Sequence, residues 1–292
     1  MSRSSFAPDD LPVPRPVAET IRPAPAGNAL SRGIRALLQG RLPESARAKL
    51  DAALTRVGFR HRKVRVRDLS IIRRRTSWDE GVVHCVLIQE DYTPAGFNIE
   101  RADTVIDIGG NIGCFTVLAA TRASAGRILV FEPDGENYRL LCRNIKANEL
   151  SNVVAERAAV MGKAGTLTLF KARHGPLHTT IPQRLAESVG AESVKAITLP
   201  DIFDRFDVRT CDFLKLDCEG AEYDILYNTP PDYLKRIRKI VLEYHAQTEK
   251  QTTAGKLAAY LESHGFEIVD FTDFVGFDAG FLKARRNEHS KE

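Results

Sequence analysis

Phe213-Leu214-Lys215-Leu216-Asp217-Cys218-Glu219-Gly220-Ala221-Glu222 is an apolar run that releases three carboxylates into a turn containing a glycine. A carboxylate at the end of a buried strand can accept or orient the proton of an alcohol, which is a poor nucleophile near neutral pH because its oxygen keeps that proton. A positioned base contributes about 10²- to 10⁴-fold to such a step, and fixing the oxygen against its electrophile contributes more. Asp217 and Glu219 are therefore the candidate base or acceptor-orienting groups. Glu222 reads either as a third member or as a first-turn acid answering a helix dipole. His245 follows Glu243 in Leu242-Glu243-Tyr244-His245 at another expected strand end. It is the third catalytic candidate, and a satisfied structural histidine fits that position equally well.

A second constellation is suited to binding. Val105-Ile106-Asp107-Ile108 runs directly into Gly109-Gly110-Asn111-Ile112-Gly113, a buried strand opening through a glycine turn into a helix. Glycines allow torsions and a close ligand approach that a Cβ would block, and the amides of the following helix favour a negative group. The spacing is not the GxGxxG of a dinucleotide site, and an acid, Asp107, stands before it. That combination suits a ligand with a cationic amino group and a ribose, as in S-adenosyl-L-methionine. Val130-Phe131-Glu132-Pro133 ends the next strand with a carboxylate about 20 residues further on, where it can accept both ribose hydroxyls. Glu132 serves either nucleotide class, so Asp107 and the glycine spacing make the choice.

The run from Asp107 to Gly113 with Cys114-Phe115-Thr116, Phe131-Glu132-Pro133 with Glu136-Asn137, Leu214 to Glu222, and Leu242-Glu243-Tyr244-His245 together resemble the successive motifs of the FkbM family of O-methyltransferases, over roughly residues 95 to 285. The resemblance implies a class I methyltransferase fold, an α/β Rossmann-like seven-stranded sheet whose last strand is antiparallel. It also implies S-adenosyl-L-methionine as cofactor and a hydroxyl acceptor on a sugar, polyketide or other small natural product. Carried across by position, Asp107, Gly109, Asn111 and Gly113 would line the amino-acid end of the cofactor, Glu132 its ribose and Ala158 its adenine. Gly110, Pro133 and Asp217 complete the expected cofactor contacts. Gly110 departs from a common Ala, Cys218 from a common Val, and Pro200 interrupts the stretch before the strand that ends at Asp217, which puts the edge of the substrate pocket in question.

These groups can act together only if the strand ends converge. From Asp103 onward strands and helices alternate, as in a parallel sheet covered on both faces. Strands are expected at Thr104 to Ile108, Arg127 to Phe131, Val153 to Ala158, Asp212 to Leu216, Lys239 to Glu243, Phe266 to Asp270 and Gly280 to Arg285. Tyr138, Leu141, Cys142 and Ile145 mark the apolar stripe of the helix after the second strand. A hairpin at Thr166 to Phe170, with a loop at 171 to 180, interrupts the alternation. Upstream, helices are expected at Leu30 to Gln39 and Glu44 to Val57, and strands at Lys63 to Arg67 and Val82 to Ile88. The division that results is a disordered Pro-rich tail at 1–27, a helical and β cap at 28–97, and the cofactor-binding methyltransferase domain at 98–292.

Composition narrows the class further. The net charge of +4 is mild, and the five cysteines are scattered without a CxxC pair, which argues against a disulfide framework or structural zinc. No apolar run approaches the roughly 20 residues of a membrane-spanning helix, and the Pro-rich start lacks the core of a secretory signal. A cytoplasmic enzyme without a membrane partner follows, its oligomeric state open. His174 and His178 lack a third ligand, so no metal is expected. Asn228-Thr229-Pro230-Pro231-Asp232-Tyr233 reads as a helix stop. Arg60, Arg62, Lys63, Arg65, Arg67, Arg73, Arg74 and Arg75 concentrate positive charge but lack interleaved aromatics, so they read first as a solvated strand face. Methylation of a small hydroxylated acceptor is the leading expectation. An RNA methyltransferase using the basic 60–75 segment stands second, and a non-catalytic or NAD-linked Rossmann protein third.

Overall fold

The computed structural model describes residues 21–22, 44–75, 78–172, 188–245, 253–274 and 279–287. They fall into two compact units divided between Gln89 and Glu90, so that 90–97 belongs with the second unit. The helix expected at Leu30 to Gln39 lies outside the described residues.

The first unit comprises β1 (Ile21–Arg22), α1 (Glu44–Arg56), β2 (His61–Val66), β3 (Leu69–Arg74) and α2 (Asp79–His84), followed by a wide π-type turn, Cys85–Gln89. The three strands form one antiparallel sheet in the order β1-β2-β3. Ile21 and Arg22 thus form an edge strand inside the segment expected to be a disordered tail. Val82 to Ile88 is helical and π-turn, not the expected strand. Val83, Val86 and Leu87 are the buried positions, at i, i+3 and i+4, and Asp79 and Glu80 occupy the first turn where acids suit a helix. The alternation in that run was incidental to a segment apolar on most sides.

The second unit runs β4 (Thr104–Ile108), α3 (Cys114–Arg122), β5 (Arg127–Phe131), α4 (Gly135–Ala147), β6 (Val153–Glu156), β7 (Ala159–Val160), β8 (Gly165–Ala172) and β9 (Ser188–Ile197). It continues with α5 (Leu199–Arg205), β10 (Phe213–Leu216), α6 (Glu222–Tyr227), α7 (Pro231–Leu234), β11 (Lys239–His245), α8 (Ala254–Ser263), β12 (Phe266–Asp273) and β13 (Ala279–Arg286). Seven strands build the main sheet in the order β12-β13-β11-β10-β4-β5-β6. The neighbours from β11 to β6 are parallel, whereas β13 runs antiparallel to both β11 and β12. The order reverses at β4, which has β5 on one side and β10 on the other. Ligand crevices open at such switch points, beyond the carboxyl ends of the strands. β7, β9 and β8 form the smaller sheet, and the loop expected after it, with His174 and His178, lies outside the described residues from 173 to 187.

The central strands are buried on both faces, which is why they read as continuous apolar runs. The buried face of α4 is Asn137, Leu140, Leu141 and Asn144, one step round from the expected stripe of Tyr138, Leu141, Cys142 and Ile145. Asn144 belongs inside because its Nδ2 donates to the Ile112 carbonyl at 2.7 Å. Pro200 sits in the first turn of α5, behind a capping box made by Thr198 and Asp201, so it starts a helix without disturbing the path into β10. No helix among the described residues is long and apolar enough to cross a membrane.

Candidate active site

The turn after β4 is shaped by what presses on it. Gly109 has φ +79°, and a Cβ there would lie 1.8 Å from the carbonyl oxygen of Asp217, so only glycine lets the end of β10 come this close. A Cβ on Gly110 would instead meet the side chains of Val130 and Leu141 at 2.4 and 2.6 Å, so core packing also requires a glycine here. The amides of Gly109 and Gly110 both donate to the Phe131 carbonyl at 3.0 Å, which ties the turn to the end of β5.

Glu132 faces this turn. Its Oε2 accepts the Asn111 amide at 2.7 Å and its Oε1 the Asp134 amide at 2.9 Å. Burial pushes its carboxyl up to about 7 in spite of those two donors. Asn111 is held at φ 49°, and its Oδ1 is buried without a hydrogen-bond partner among the described residues. An acceptor left open beside a glycine turn fits a ligand that brings its own N–H or O–H. Pro133 is half-buried and follows Glu132 into the cap of α4, where Asp134 accepts the Glu136 and Asn137 amides. Ala158 lies outside β6, and its side chain is fully buried in the main core.

Asp107 lies beneath the turn. It is fully buried, with Oδ2 accepting the Thr116 hydroxyl at 2.6 Å and Oδ1 3.3 Å from Lys215 Nζ. Lys215 donates to the Gly109 carbonyl at 2.6 Å and stands 3.8 Å from Asp217 Oδ2. Burial works against the Lys215 charge, but Asp107 and Asp217 outweigh it and hold the ammonium above the usual lysine value.

The expected acids do converge. Asp217 Oδ2 accepts the Tyr92 hydroxyl at 2.8 Å, and the same hydroxyl lies 3.0 Å from Glu243 Oε2 at the end of β11. Glu219 adopts φ 57°, a left-handed conformation rare for a residue with a Cβ, and its carboxylate lies 3.5 Å from His245 Nε2. Glu222 is fully buried; its Oε1 accepts the Cys218 and Gly220 amides and lies 3.3 Å from His245 Nδ1. Glu222 therefore closes the turn and braces His245. Burial would lower the imidazolium pKa, but Glu222 first, then Glu219 and Asp217, raise it to about 10. Burial lifts Glu219 to about 8 and Glu243 to about 7. Asp217, Glu243 and His245 bring one polar atom each within 4.8 Å of the others, a grouping that is common without an ion.

The basic segment is largely answered within the first unit. Arg62 and Arg75 pair with Asp51, Arg73 with Glu80, Arg74 with Asp79 and Arg65 with Asp68. Asn228 ends α6 and Pro231 opens α7, as a helix stop requires.

The Methyltransferase FkbM domain matches residues 107–268, a span that begins at Asp107, contains Glu132 and the acid cluster, and ends in β12. The chain belongs to the FkbM methyltransferase family. It is an S-adenosylmethionine-dependent methyltransferase. This FkbM-family chain is 25% identical over 221 residues to Methyltransferase sdnD of Sordaria araneosa, covering 65% of this chain and 84% of the relative. It is 25% identical over 225 residues to 31-O-demethyl-FK506 methyltransferase FkbM of Streptomyces tacrolimicus, covering 67% and 85%. Among solved structures it is similar to M. jannaschii TYW2 in complex with AdoMet, with a TM-score of 0.43, 16% identity and coverage of 78% and 87%.

Four residues of this FkbM-family site were not among the expected ones. Glu243 had a signal, an acid at a strand end two residues before His245, and Lys215 had another, a lone charge inside an apolar strand that burial must pair. Asn144 lies off the expected apolar stripe of its helix, so the period did not mark it. Tyr92 lies in irregular chain before β4, where no period marks it.

Proposed function

We propose that this FkbM-family methyltransferase O-methylates a hydroxyl on a small molecule, a sugar or another natural product. The observation that carries this reading is the meeting of Asp217, Glu219, Glu243 and His245 at the ends of β10 and β11, beside the glycine turn. A hydroxyl acceptor needs a group to orient it and a group to take its proton, and this cluster holds both kinds. The name of the Streptomyces relative, a 31-O-demethyl-FK506 methyltransferase, is in keeping with an oxygen acceptor.

When bound, S-adenosylmethionine supplies a methyl group on a cationic sulfur that leaves as a neutral thioether. Toward it, Glu132 would accept the ribose hydroxyls, Asn111 Oδ1 would accept a donor, and Gly109, Gly110, Gly113 and Pro133 would shape the turn's open face. Asp107 supports that face from below through Lys215 and Thr116, and Ala158 would close the adenine end. Asp217 and Glu219 would orient the acceptor, with His245 holding Glu219 and Glu243 in place by its charge. Paired arginines in the first unit favour a small acceptor over nucleic acid, since phosphates would have to displace carboxylate partners. A cytoplasmic location belongs to the same reading, supported by five cysteines with no disulfide between them among the described residues. Incubation with labelled S-adenosylmethionine and a panel of sugars, glycosides and polyketide alcohols, read by mass spectrometry, tests it. Methyl ethers are expected, and label transferred to RNA or only to amines would contradict the reading.

A further inference from the structure

We infer that Glu243 takes the acceptor's proton and that Tyr92 is the positioning residue that makes it able to, an inference that rests on the O-methyltransferase reading. The Tyr92 hydroxyl lies 2.8 Å from Asp217 Oδ2 and 3.0 Å from Glu243 Oε2. A phenol carries one proton, and here it faces two carboxylate oxygens. With both acids ionised, one contact is a hydrogen bond and the other sets lone pair against lone pair. A proton added to Glu243 completes the set without moving a heavy atom, because the Glu243 acid then donates to the Tyr92 oxygen while Tyr92 donates to Asp217. The arrangement is thus built to receive one proton. Tyr92 is buried and packed edge-on against Phe115 and Phe281, at centroid distances of 5.7 and 5.3 Å, which fixes its direction. The Glu243 side chain is 24% exposed, which leaves it a face for the acceptor and a way out for the proton.

The charges around Glu243 come from every side of the crevice. Lys215, Asp217 and Glu219 face it from β10 and the turn beyond. His245 lies on its own strand, with Nε2 3.7 Å from Glu243 Oε1 and with Glu222 of α6 behind it. On β13 the residue opposite is the uncharged Phe281. Burial and then the Asp217 charge push the Glu243 carboxyl up, His245, Tyr92 and Lys215 pull it back, and it settles at about 7, where a base is free yet still holds what it takes. Asp217 has Lys215 beside it and receives the Tyr92 proton once Glu243 is protonated, a hydrogen bond that the ionised Glu243 draws on until then. The step balances: the acceptor O–H bond breaks, its oxygen forms the bond to the methyl carbon, the carbon–sulfur pair stays on sulfur, and the proton rests on Glu243 until it passes to solvent.

The test labels glutamate side-chain carboxyls with ¹³C and follows them with pH in the presence of S-adenosylhomocysteine. One resonance should titrate near pH 7, vanish in E243Q, and move to a higher midpoint in Y92F, which removes a donor from the ionised form. E243Q should keep its S-adenosylhomocysteine affinity and lose about 10²- to 10⁴-fold in kcat on a hydroxyl acceptor of the wild type. A Glu243 that titrates in the ordinary carboxylate range, or that ignores Y92F, overturns the inference. So does stoichiometric, EDTA-reversible broadening of that resonance by Mn²⁺, which would make the cluster a cation site. Failure of the wild type to bind S-adenosylhomocysteine overturns the methyltransferase reading and this inference with it, whereas binding with an ordinary Glu243 overturns the inference alone.

Discussion

Lys215 Nζ donates at 2.6 Å to the carbonyl oxygen of Gly109, so a single buried ammonium ties the strand that carries the acids to the turn that carries the glycines. The same ammonium is the ionic partner of Asp107. Lys215→Met should therefore leave a buried carboxylate without compensation, at a cost of about 3–5 kcal/mol. Urea unfolding checks this; a loss under about 1 kcal/mol, the range of an exposed ion pair, would contradict it.

The two adjacent glycines should respond differently to alanine. At Gly109 the new Cβ meets backbone at 1.8 Å in a left-handed conformation, and neither the Asp217 carbonyl nor β4 can give way. At Gly110 it meets the ends of the Val130 and Leu141 side chains, which can shift for the roughly 1–3 kcal/mol typical of overpacking. Gly109→Ala is expected to be the more destabilising in thermal melts and to abolish cofactor binding. Equal effects would show that the turn is not pinned by Asp217.

Glu219 holds its carboxylate at the site in a conformation that costs a residue with a Cβ about 1–2 kcal/mol. Glu219→Gly removes that strain and a buried acid together, offset in part by the freedom glycine gains in the unfolded chain. The variant should be no less stable than wild type while turnover falls. A clear loss of stability would mean that Glu219 is a structural residue.

His245 sets the alkaline limit of stability. Its folded pKa of about 10 stands above the ordinary 6.5, so its contribution is complete below 6.5 and is lost as pH rises toward 10. Glu219 and Glu243 act in the same direction from 4.5 up to about 8 and about 7, because burial favours their protonated forms. Glu222 acts in the opposite direction: burial raises it, but His245 and the turn amides hold it below 4.5, so its share is lost only in acid. The urea midpoint should fall from about pH 6.5 to 10, with the fall flattened above about pH 8 in His245→Gln. A midpoint that rises over this span would contradict the ring of carboxylates around the imidazole.

The sheet was legible because period and spacing are backbone properties. β4 and β5 occupy the expected residues, and the antiparallel β13 was implied by the family motifs. Asp217, Glu219 and His245 could be placed together because strand ends in a doubly wound sheet must share a crevice. What stayed hidden depends on packing. Asn144 faces inward for one carbonyl, Gly110 for two core side chains, and Val82 to Ile88 could be told from a strand only by which side of it is buried. Tyr92 reaches Asp217 across a separation of 125 residues, which no local pattern encodes.

The central claim, that the crevice beyond β4 and β5 holds the nucleoside of S-adenosylmethionine on Glu132, is tested most directly by calorimetric titration with S-adenosylhomocysteine. The wild type should bind one equivalent. Affinity should tighten as pH rises toward about 7, where Glu132 ionises and can accept the ribose hydroxyls, and then level off. Glu132→Ala should weaken binding about 10- to 100-fold, the loss of charged hydrogen bonds worth about 1.5–3 kcal/mol. Binding of NADH in its place, or S-adenosylhomocysteine affinity unchanged in Glu132→Ala, would contradict the account.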